Sequence, residues 1–188
     1  MKIAVYSGSF NPLHVGHQAI MEFLTNEKDF DWVYLVVSPQ SPFKDASNNL
    51  TGRQRYEAAV EAVLRHPEIH VWVDDIELGM EPPHYTIRTL DALKEREPGN
   101  DFTLVIGADN LDCFLGWREA ERILREYGVV VFPRSGYDAA AIREGMLAMP
   151  GGEDFRIEIM EEAPLVDISS TQIRDGIASG LDMSGWLM

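Results

Sequence analysis

Short apolar runs alternate along the chain with longer stretches in which apolar residues recur every three to four positions. Residues 3–6 and 32–37 are apolar at nearly every position, which is typical of strands buried on both faces. The same pattern predicts further strands over residues 69–73, 102–106, 129–132 and 155–160. It predicts helices over residues 12–24, 85–96, 118–127 and 138–149.

Two further helices are indicated by capping boxes, in which a hydroxyl residue is followed three positions later by glutamine. Thr51 with Gln54 opens a helix that stops near His66, and Ser169 with Gln172 opens a short one before Gly180. Strands that alternate with helices predict an α/β fold with a doubly wound parallel sheet, as one domain over residues 1–188. Residues 169–188 form its short helical end, and ligands are expected beyond the carboxyl ends of the strands.

Composition narrows the classes of function. The 188 residues are 45% hydrophobic and carry a net charge of −15, so a nucleic-acid binder would need a local basic stripe, which the sequence lacks. No apolar run approaches the ~20 residues that span a bilayer, and the chain opens without a signal peptide. The single Cys113 allows neither an internal disulfide nor a four-cysteine zinc site. We therefore expect a cytoplasmic protein that binds neither membrane nor nucleic acid.

The turn after the first strand, SGSFNPLHVGH at residues 7–17, carries the first candidate site. Small residues there allow a ligand to approach the backbone, and Asn11-Pro12 fits an N-cap followed by the first helical residue. His14 and His17 are three positions apart, so we expect both imidazoles on one face near the helix N-terminus, where they can bind phosphate. Each histidine could instead be a solvated surface residue. A metal site is disfavoured because no third ligand has the right spacing.

The last helix start is a second candidate anion site. Ser169, Ser170 and Thr171 offer hydroxyls and free backbone N–H groups, and Arg174 one turn later can bridge two phosphate oxygens. The simpler alternative is a plain capping box with a solvated arginine. After the fourth strand, Asp109 can accept hydrogen bonds from a ribose or can merely cap the next helix.

Five ordered segments together resemble the bacterial nicotinate-mononucleotide adenylyltransferases, within the nucleotidylyltransferase superfamily. They are HVGH at residues 14–17, PQSPFK at 39–44, HYTIRTL at 84–90, IGADNL at 106–111 with Trp117, and ISSTQIR at 168–174. The resemblance covers the chain almost end to end and implies a Rossmann-like nucleotidylyltransferase fold.

The resemblance also implies roles for individual residues. It assigns phosphate contacts and catalysis to His14, His17, Lys44 and Arg174. It assigns nucleotide binding to Gly8, Ser9, Phe10, Gly107, Asp109, Ile168, Ser169, Ser170 and Thr171. It assigns mononucleotide binding to Thr86 and Trp117. Arg134 is placed with them from its position after the fifth strand, where its charge could act near either nucleotide. Lys44 could also be a solvated loop residue, Trp117 could be buried in the core, and Arg134 could pair with a nearby acid.

This chain departs from the family pattern at three positions. Phe43 stands where the family often has histidine, His84 where serine or proline is common, and Arg88 where aspartate is common. The last two departures concern the mononucleotide side of the site.

The implied function is adenylyl transfer from ATP to nicotinate mononucleotide, which gives deamido-NAD and pyrophosphate by direct attack without a covalent intermediate. Mg²⁺ would arrive on the ATP phosphates, and no dedicated metal site is predicted. Two alternatives are a different phosphorylated acceptor, such as nicotinamide mononucleotide or a pantetheine phosphate, and a nucleotide sensor that has lost turnover. The sequence indicates no oligomeric state.

Overall fold

The computed structural model describes residues 1–39, 50–165 and 167–188. Its centre is a six-stranded sheet, and every strand pairing in it is parallel. The strands are β1 Lys2–Gly8, β2 Trp32–Val37, β3 Val71–Asp74, β4 Asp101–Gly107, β5 Val129–Phe132 and β6 Ile157–Ile159. The helices are α1 Val15–Asn26, α2 Gly52–Leu64, α3 Thr86–Arg96, α4 Ala108–Asp112, α5 Ala120–Arg122, α6 Ala139–Leu147 and α7 Ser170–Ala178.

The strand order β3-β2-β1-β4-β5-β6 reverses direction at β1, which pairs with β2 on one side and β4 on the other. This is the doubly wound arrangement, and it confirms the fold class predicted from the alternation of strands and helices. The carboxyl ends of β1 and β4 diverge at this switch point, where a ligand is expected.

Both faces of the sheet are covered. Ile3 and Val5 of β1 pack with the apolar face of α3, whereas Ala4 between them packs with α1 and α2 on the other face. Burial on both sides explains why β1 and β2 read as continuous apolar runs.

The first helix begins later than predicted, so the assignment of Asn11 as N-cap and Pro12 as first helical residue is wrong. The Asn11–Pro12 peptide bond is cis, and the chain turns again before α1 starts at Val15. His14 is the N-cap, and its Nδ1 accepts the backbone N–H of Gly16. An imidazole therefore takes the role that the sequence pattern gave to asparagine.

The predicted helix over residues 118–127 is also irregular. Glu119 has a positive φ of 54°, α5 is only three residues long, and Ile123–Tyr127 forms a π-helical turn. The N–H of Gly128 closes that turn by donating to the oxygen of Ile123. Both predicted capping boxes are present, at Thr51 with Gln54 and at Ser169 with Gln172.

The described residues contain no helix with the length and apolar character needed to cross a bilayer.

Candidate active site

A cleft of about 260 Å³ opens at the carboxyl ends of β1 and β4. Its walls come from the turn after β1, the starts of α1, α3 and α7, and the segments that follow β4 and β5. Nine of the residues predicted from sequence line it: Gly8, Ser9, Phe10, His17, Thr86, Gly107, Trp117, Arg134 and Ser170. The cleft therefore lies where a doubly wound sheet is expected to bind its ligand.

The turn after β1 is shaped by Phe10. This residue has a φ of 44°, a left-handed conformation that is uncommon outside glycine. Its buried ring packs edge-on against Tyr6 and His17, with ring centroids 5.4 and 5.2 Å apart. Aromatic contacts thus fix the left-handed residue, while Gly8 and Ser9 leave the backbone open to the cleft.

The two histidines of the HVGH segment stack on each other, with ring centroids 3.7 Å apart. The Nδ1 of His14 accepts the N–H of Gly16, and the Nδ1 of His17 accepts the N–H of His14, each at 3.2 Å. Because both Nδ1 atoms accept backbone protons, the proton of each neutral ring lies on Nε2. Each ring is therefore a hydrogen-bond donor through Nε2.

Both imidazoles are neutral at physiological pH. Burial lowers the pKa of His14 to about 4, with a smaller contribution from the positive charge of Arg134. Burial also lowers the pKa of His17 well below its usual value, and His14 and Arg134 lower it further. Burial raises the pKa of Tyr6, beside His17, to about 12, so the phenol keeps its proton. The histidines thus offer N–H donors without carrying formal charge.

The start of α7 meets the start of α1 directly. The Ser170 hydroxyl donates to the Pro12 oxygen at 3.0 Å, and the Arg174 Nη1 donates to the Asn11 oxygen at 2.7 Å. Arg174 also contacts the Thr171 hydroxyl at 3.0 Å, while Ser169 closes its capping box with Gln172. Two helix N-termini that are far apart in sequence therefore face the same region.

Several predicted residues lie beside the cleft without lining it. His14 and Ile168 border a small adjoining pocket, together with His17 and Arg134. Thr171 and Arg174 contact each other on α7, and Arg174 uses its guanidinium to hold the turn before α1. Lys44 falls outside the described residues, and its assignment stays a prediction.

An ion pair lies over Gly107, with Arg134 lining the cleft and Asp109 beside it. The Nε of Arg134 lies 3.5 Å from the Oδ1 of Asp109, and both side chains are more than 40% exposed. A Cβ on Gly107 would overlap the Asp109 carboxylate and lie 2.9 Å from the Arg134 Nε. Glycine is therefore needed for this pair to lie over the end of β4. Arg134 does pair with an acid, as the sequence left open, and it also lines the cleft.

Thr86 and Trp117 also line the cleft. Thr86 is the first residue of α3, and Trp117 stacks at a tilt on the buried ring of Phe114, with centroids 4.8 Å apart. The indole is partly buried and packs against the core while it lines the cleft. Trp117 therefore packs against the core and also faces the cleft, and its contact with the mononucleotide stays a prediction.

Of the two departures on the mononucleotide side, His84 lies in the loop that precedes α3 and Arg88 lies in the first turn of α3. His84 Nε2 is 2.9 Å from the Met80 oxygen, and the Arg88 Nη1 donates to the oxygens of Glu81 and Pro83. These side chains hold the loop backbone, and neither lines the cleft.

Sequence reasoning missed three residues beside this site. Tyr6 lines the cleft. Glu77 is buried and accepts hydrogen bonds from Thr89 at 2.8 Å and from Ser7 at 3.4 Å. Arg55 is buried behind the turn that follows β1. Arg55 could have been found, because it occupies the apolar stripe of α2 with Ala59 and Ala62, at i, i+4 and i+7.

No group of three or more His, Cys, Asp or Glu side chains in the described ranges is arranged to hold a metal ion. The imidazole nitrogens of His14 and His17 are poor ligands for Mg²⁺, which prefers oxygen. Delivery of Mg²⁺ on the substrate phosphates stays a prediction.

Comparison with known proteins identifies the family. The Cytidylyltransferase-like family model matches residues 5–176. A Cytophaga hutchinsonii protein described as a probable nicotinate-nucleotide adenylyltransferase is 37% identical over 175 residues, which are 93% of this chain and 85% of the relative. A Porphyromonas gingivalis protein with the same description is 36% identical and covers 100% of this chain and 89% of its own length.

A solved structure supports the same fold. The Plasmodium falciparum nicotinic acid mononucleotide adenylyltransferase complexed with NaAD superposes with a TM-score of 0.74 at 18% identity, over 97% of this chain and 87% of that one. The chain belongs to the cytidylyltransferase-like family and, within it, to the nicotinate-nucleotide adenylyltransferases.

Proposed function

We propose that this protein transfers the adenylyl group of ATP to nicotinate mononucleotide and releases pyrophosphate, which is a step of NAD biosynthesis. The family membership supports the reaction class and the acceptor. The observation that carries the proposal is the contact between the starts of α1 and α7 at the mouth of the cleft, made by Ser170 and Pro12.

The chemistry is a single displacement. A phosphate oxygen of the mononucleotide attacks the α-phosphorus of ATP, and a new phosphoanhydride bond forms. The bond from the α-phosphorus to the oxygen that bridges to the β-phosphorus breaks, and pyrophosphate leaves with the electron pair. No protein nucleophile is required, so catalysis rests on positioning and on stabilisation of developing charge.

The phosphate side of the site supplies hydrogen-bond donors. His17 donates through its Nε2–H to the polyphosphate, and His14 supports it from the adjoining pocket. The free backbone N–H groups at the starts of α1 and α7 add further donors and a favourable dipole. Arg174 spans the junction and adds positive charge next to both helix starts. The remaining negative charge would be offset by Mg²⁺ carried on the ATP phosphates.

Neutral histidines suit this role. A neutral imidazole keeps its Nε2–H over the whole physiological pH range. It can therefore donate a hydrogen bond to the leaving group while that group gains negative charge. Arg134, Arg174 and Lys44 would then provide the cationic part of the site.

The proposal assigns different residues of the cleft to the two nucleosides. Gly107 leaves room for the Arg134–Asp109 pair at the end of β4, and the exposed carboxylate of Asp109 accepts hydrogen bonds from the ribose hydroxyls of adenosine. Trp117 offers a flat face to the pyridinium ring, and Thr86 opens α3, so its backbone N–H is suited to the carboxylate of nicotinate. Arg134 also lines the cleft, and the proposal places it near the mononucleotide phosphate.

The reaction is placed in the cytoplasm, since a chain with one cysteine needs no oxidising compartment. The proposal includes no nucleic-acid or membrane partner.

The test is a comparison of acceptors. Purified protein is incubated with Mg²⁺-ATP and with nicotinate mononucleotide, nicotinamide mononucleotide or phosphopantetheine, while pyrophosphate and the adenylylated product are both quantified. We expect stoichiometric pyrophosphate and deamido-NAD with nicotinate mononucleotide. Faster turnover with another acceptor would reassign the substrate, and ATP binding without any product would identify a sensor.

A further inference from the structure

Arg55 is a buried cation with an unusual set of partners. Its side chain lies on the inner stripe of α2 and the residue is only 4% exposed. Every hydrogen bond that it makes among the described residues goes to a backbone carbonyl oxygen. Burying a charged group is costly unless all of its donors are satisfied, so these contacts must be well aligned.

The acceptors come from three separate segments. Nη1 donates to the Ser9 oxygen at 2.6 Å, and Nη2 donates to the Ser38 oxygen at 2.7 Å and to the Pro39 oxygen. Nε completes the set with the Leu50 oxygen at 3.4 Å. A planar guanidinium can serve several directions at once, whereas the single ammonium of lysine cannot reproduce this fork.

The bond to Ser9 fixes the orientation of a peptide group in the cleft wall. The Ser9–Phe10 peptide is trans, so its C=O and N–H groups point in opposite directions. Because Arg55 holds the oxygen on the α2 side, the Phe10 N–H points away from α2. Both residues of this peptide line the cleft.

The same peptide leads into the left-handed residue of the turn. A non-glycine residue at a φ of 44° persists only where its surroundings hold it, and backbone N–H groups next to such residues form concave anion sites. Arg55 supplies a rigid restraint immediately before Phe10.

We propose that Arg55 is a positioning residue for adenylyl transfer, which turns the Phe10 N–H toward the polyphosphate of ATP. The proposal rests on the function proposed above. Arg55 touches neither substrate, and it acts through the backbone of the Ser9–Phe10 turn.

The test compares Arg55→Lys with Arg143→Lys. Arg143 also donates to a backbone oxygen, through its Nε to Ile157 at 2.8 Å, but at the amino end of β6, away from the cleft. We expect Arg55→Lys to lower kcat/KM for ATP by about 10-fold to 100-fold, with a smaller change in KM for the mononucleotide. Arg143→Lys should leave both values unchanged.

A spectroscopic readout separates positioning from general stability. Protein labelled with ¹⁵N-phenylalanine is titrated with pyrophosphate, and the Phe10 amide resonance is assigned. It should shift in the native protein and in Arg143→Lys, and lose that shift in Arg55→Lys. If pyrophosphate does not shift the Phe10 amide resonance of the native protein, the proposal is overturned, even if Arg55→Lys does not fold.

The inference and the proposed function fail in different ways. A native protein that forms no dinucleotide would refute the function. A native protein that forms deamido-NAD, together with an Arg55→Lys variant of unchanged kcat/KM for ATP, would refute the inference alone.

Discussion

Ser170 donates its hydroxyl to the backbone oxygen of Pro12 across 158 positions of sequence, and this bond joins the starts of the last and first major helices. Arg174 strengthens the junction through the oxygen of Asn11. Two helix N-termini, which favour negative charge, therefore meet beside one cleft.

Removing that hydroxyl should separate the two helix starts. We expect Ser170→Ala to destabilise the fold by about 1 kcal/mol and to raise KM for ATP several-fold, because one hydrogen bond at the junction is lost. Urea unfolding and steady-state kinetics measure the two effects. Ser179→Ala, at the exposed C-cap of the same helix, is the control. If Ser170→Ala and Ser179→Ala have equal KM values for ATP, the bond between Ser170 and Pro12 does not contribute to ATP binding.

His17 should matter for turnover more than for folding. His17→Ala removes an Nε2–H donor from the cleft and should lower kcat by about 10²–10³-fold. Circular dichroism should show a native fold, and His70→Ala, at an exposed position, should behave like the native protein. Near-native turnover in His17→Ala would refute the phosphate role.

Trp117 should affect the mononucleotide alone. Trp117→Ala deletes the flat ring at the cleft wall and should raise KM for nicotinate mononucleotide about 10-fold, since stacking on a pyridinium contributes roughly 1–2 kcal/mol. Trp117→Phe should recover part of the loss, and Trp72→Ala, an exposed tryptophan on β3, should have no effect. A rise confined to KM for ATP would move Trp117 to the other substrate.

Gly107 tests the ion pair at the end of β4. Gly107→Ala would force Arg134 and Asp109 apart, so KM for ATP should rise and the unfolding free energy should fall. Gly145→Ala, at an open position on α6, should instead stabilise the fold by up to about 1 kcal/mol. Native kinetics in Gly107→Ala would mean that the Arg134–Asp109 pair does not help to bind ATP.

Acid should weaken the fold through His14. Its pKa is lowered from 6.5 to about 4 in the folded protein, so the unfolded chain binds more protons between these values and stability falls as pH drops. The loss should be about 2 kcal/mol between pH 7 and pH 5. Asparagine can also cap a helix, so His14→Asn should keep the cap and lose less stability over that range. Urea unfolding at both pH values gives the comparison, and equal losses would contradict the assignment.

The sheet was predictable because its strands are buried on both faces and therefore read as apolar runs between capped helices. The start of α1 was not, since propensity favoured Asn11 as the cap and gave no reason to expect an imidazole in that role. The irregular helix near Glu119 follows from a left-handed residue that sequence pattern does not mark.

The candidate site was also predictable only in part. The residue pattern indicated His17 and Ser170, the family resemblance indicated Trp117, and all three line one cleft. Arg55 escaped notice because its role depends on backbone oxygens from distant segments, which only the fold brings together. Its place on an apolar helical stripe was the available signal.

The most direct test of the account is a crystal structure of the protein with a non-hydrolysable ATP analogue and Mg²⁺. We predict polyphosphate oxygens within hydrogen-bond distance of both the His17 Nε2 and the backbone N–H groups that open α7 at Ser170. A polyphosphate bound away from either helix start would contradict the adenylyl-transfer site described for this chain.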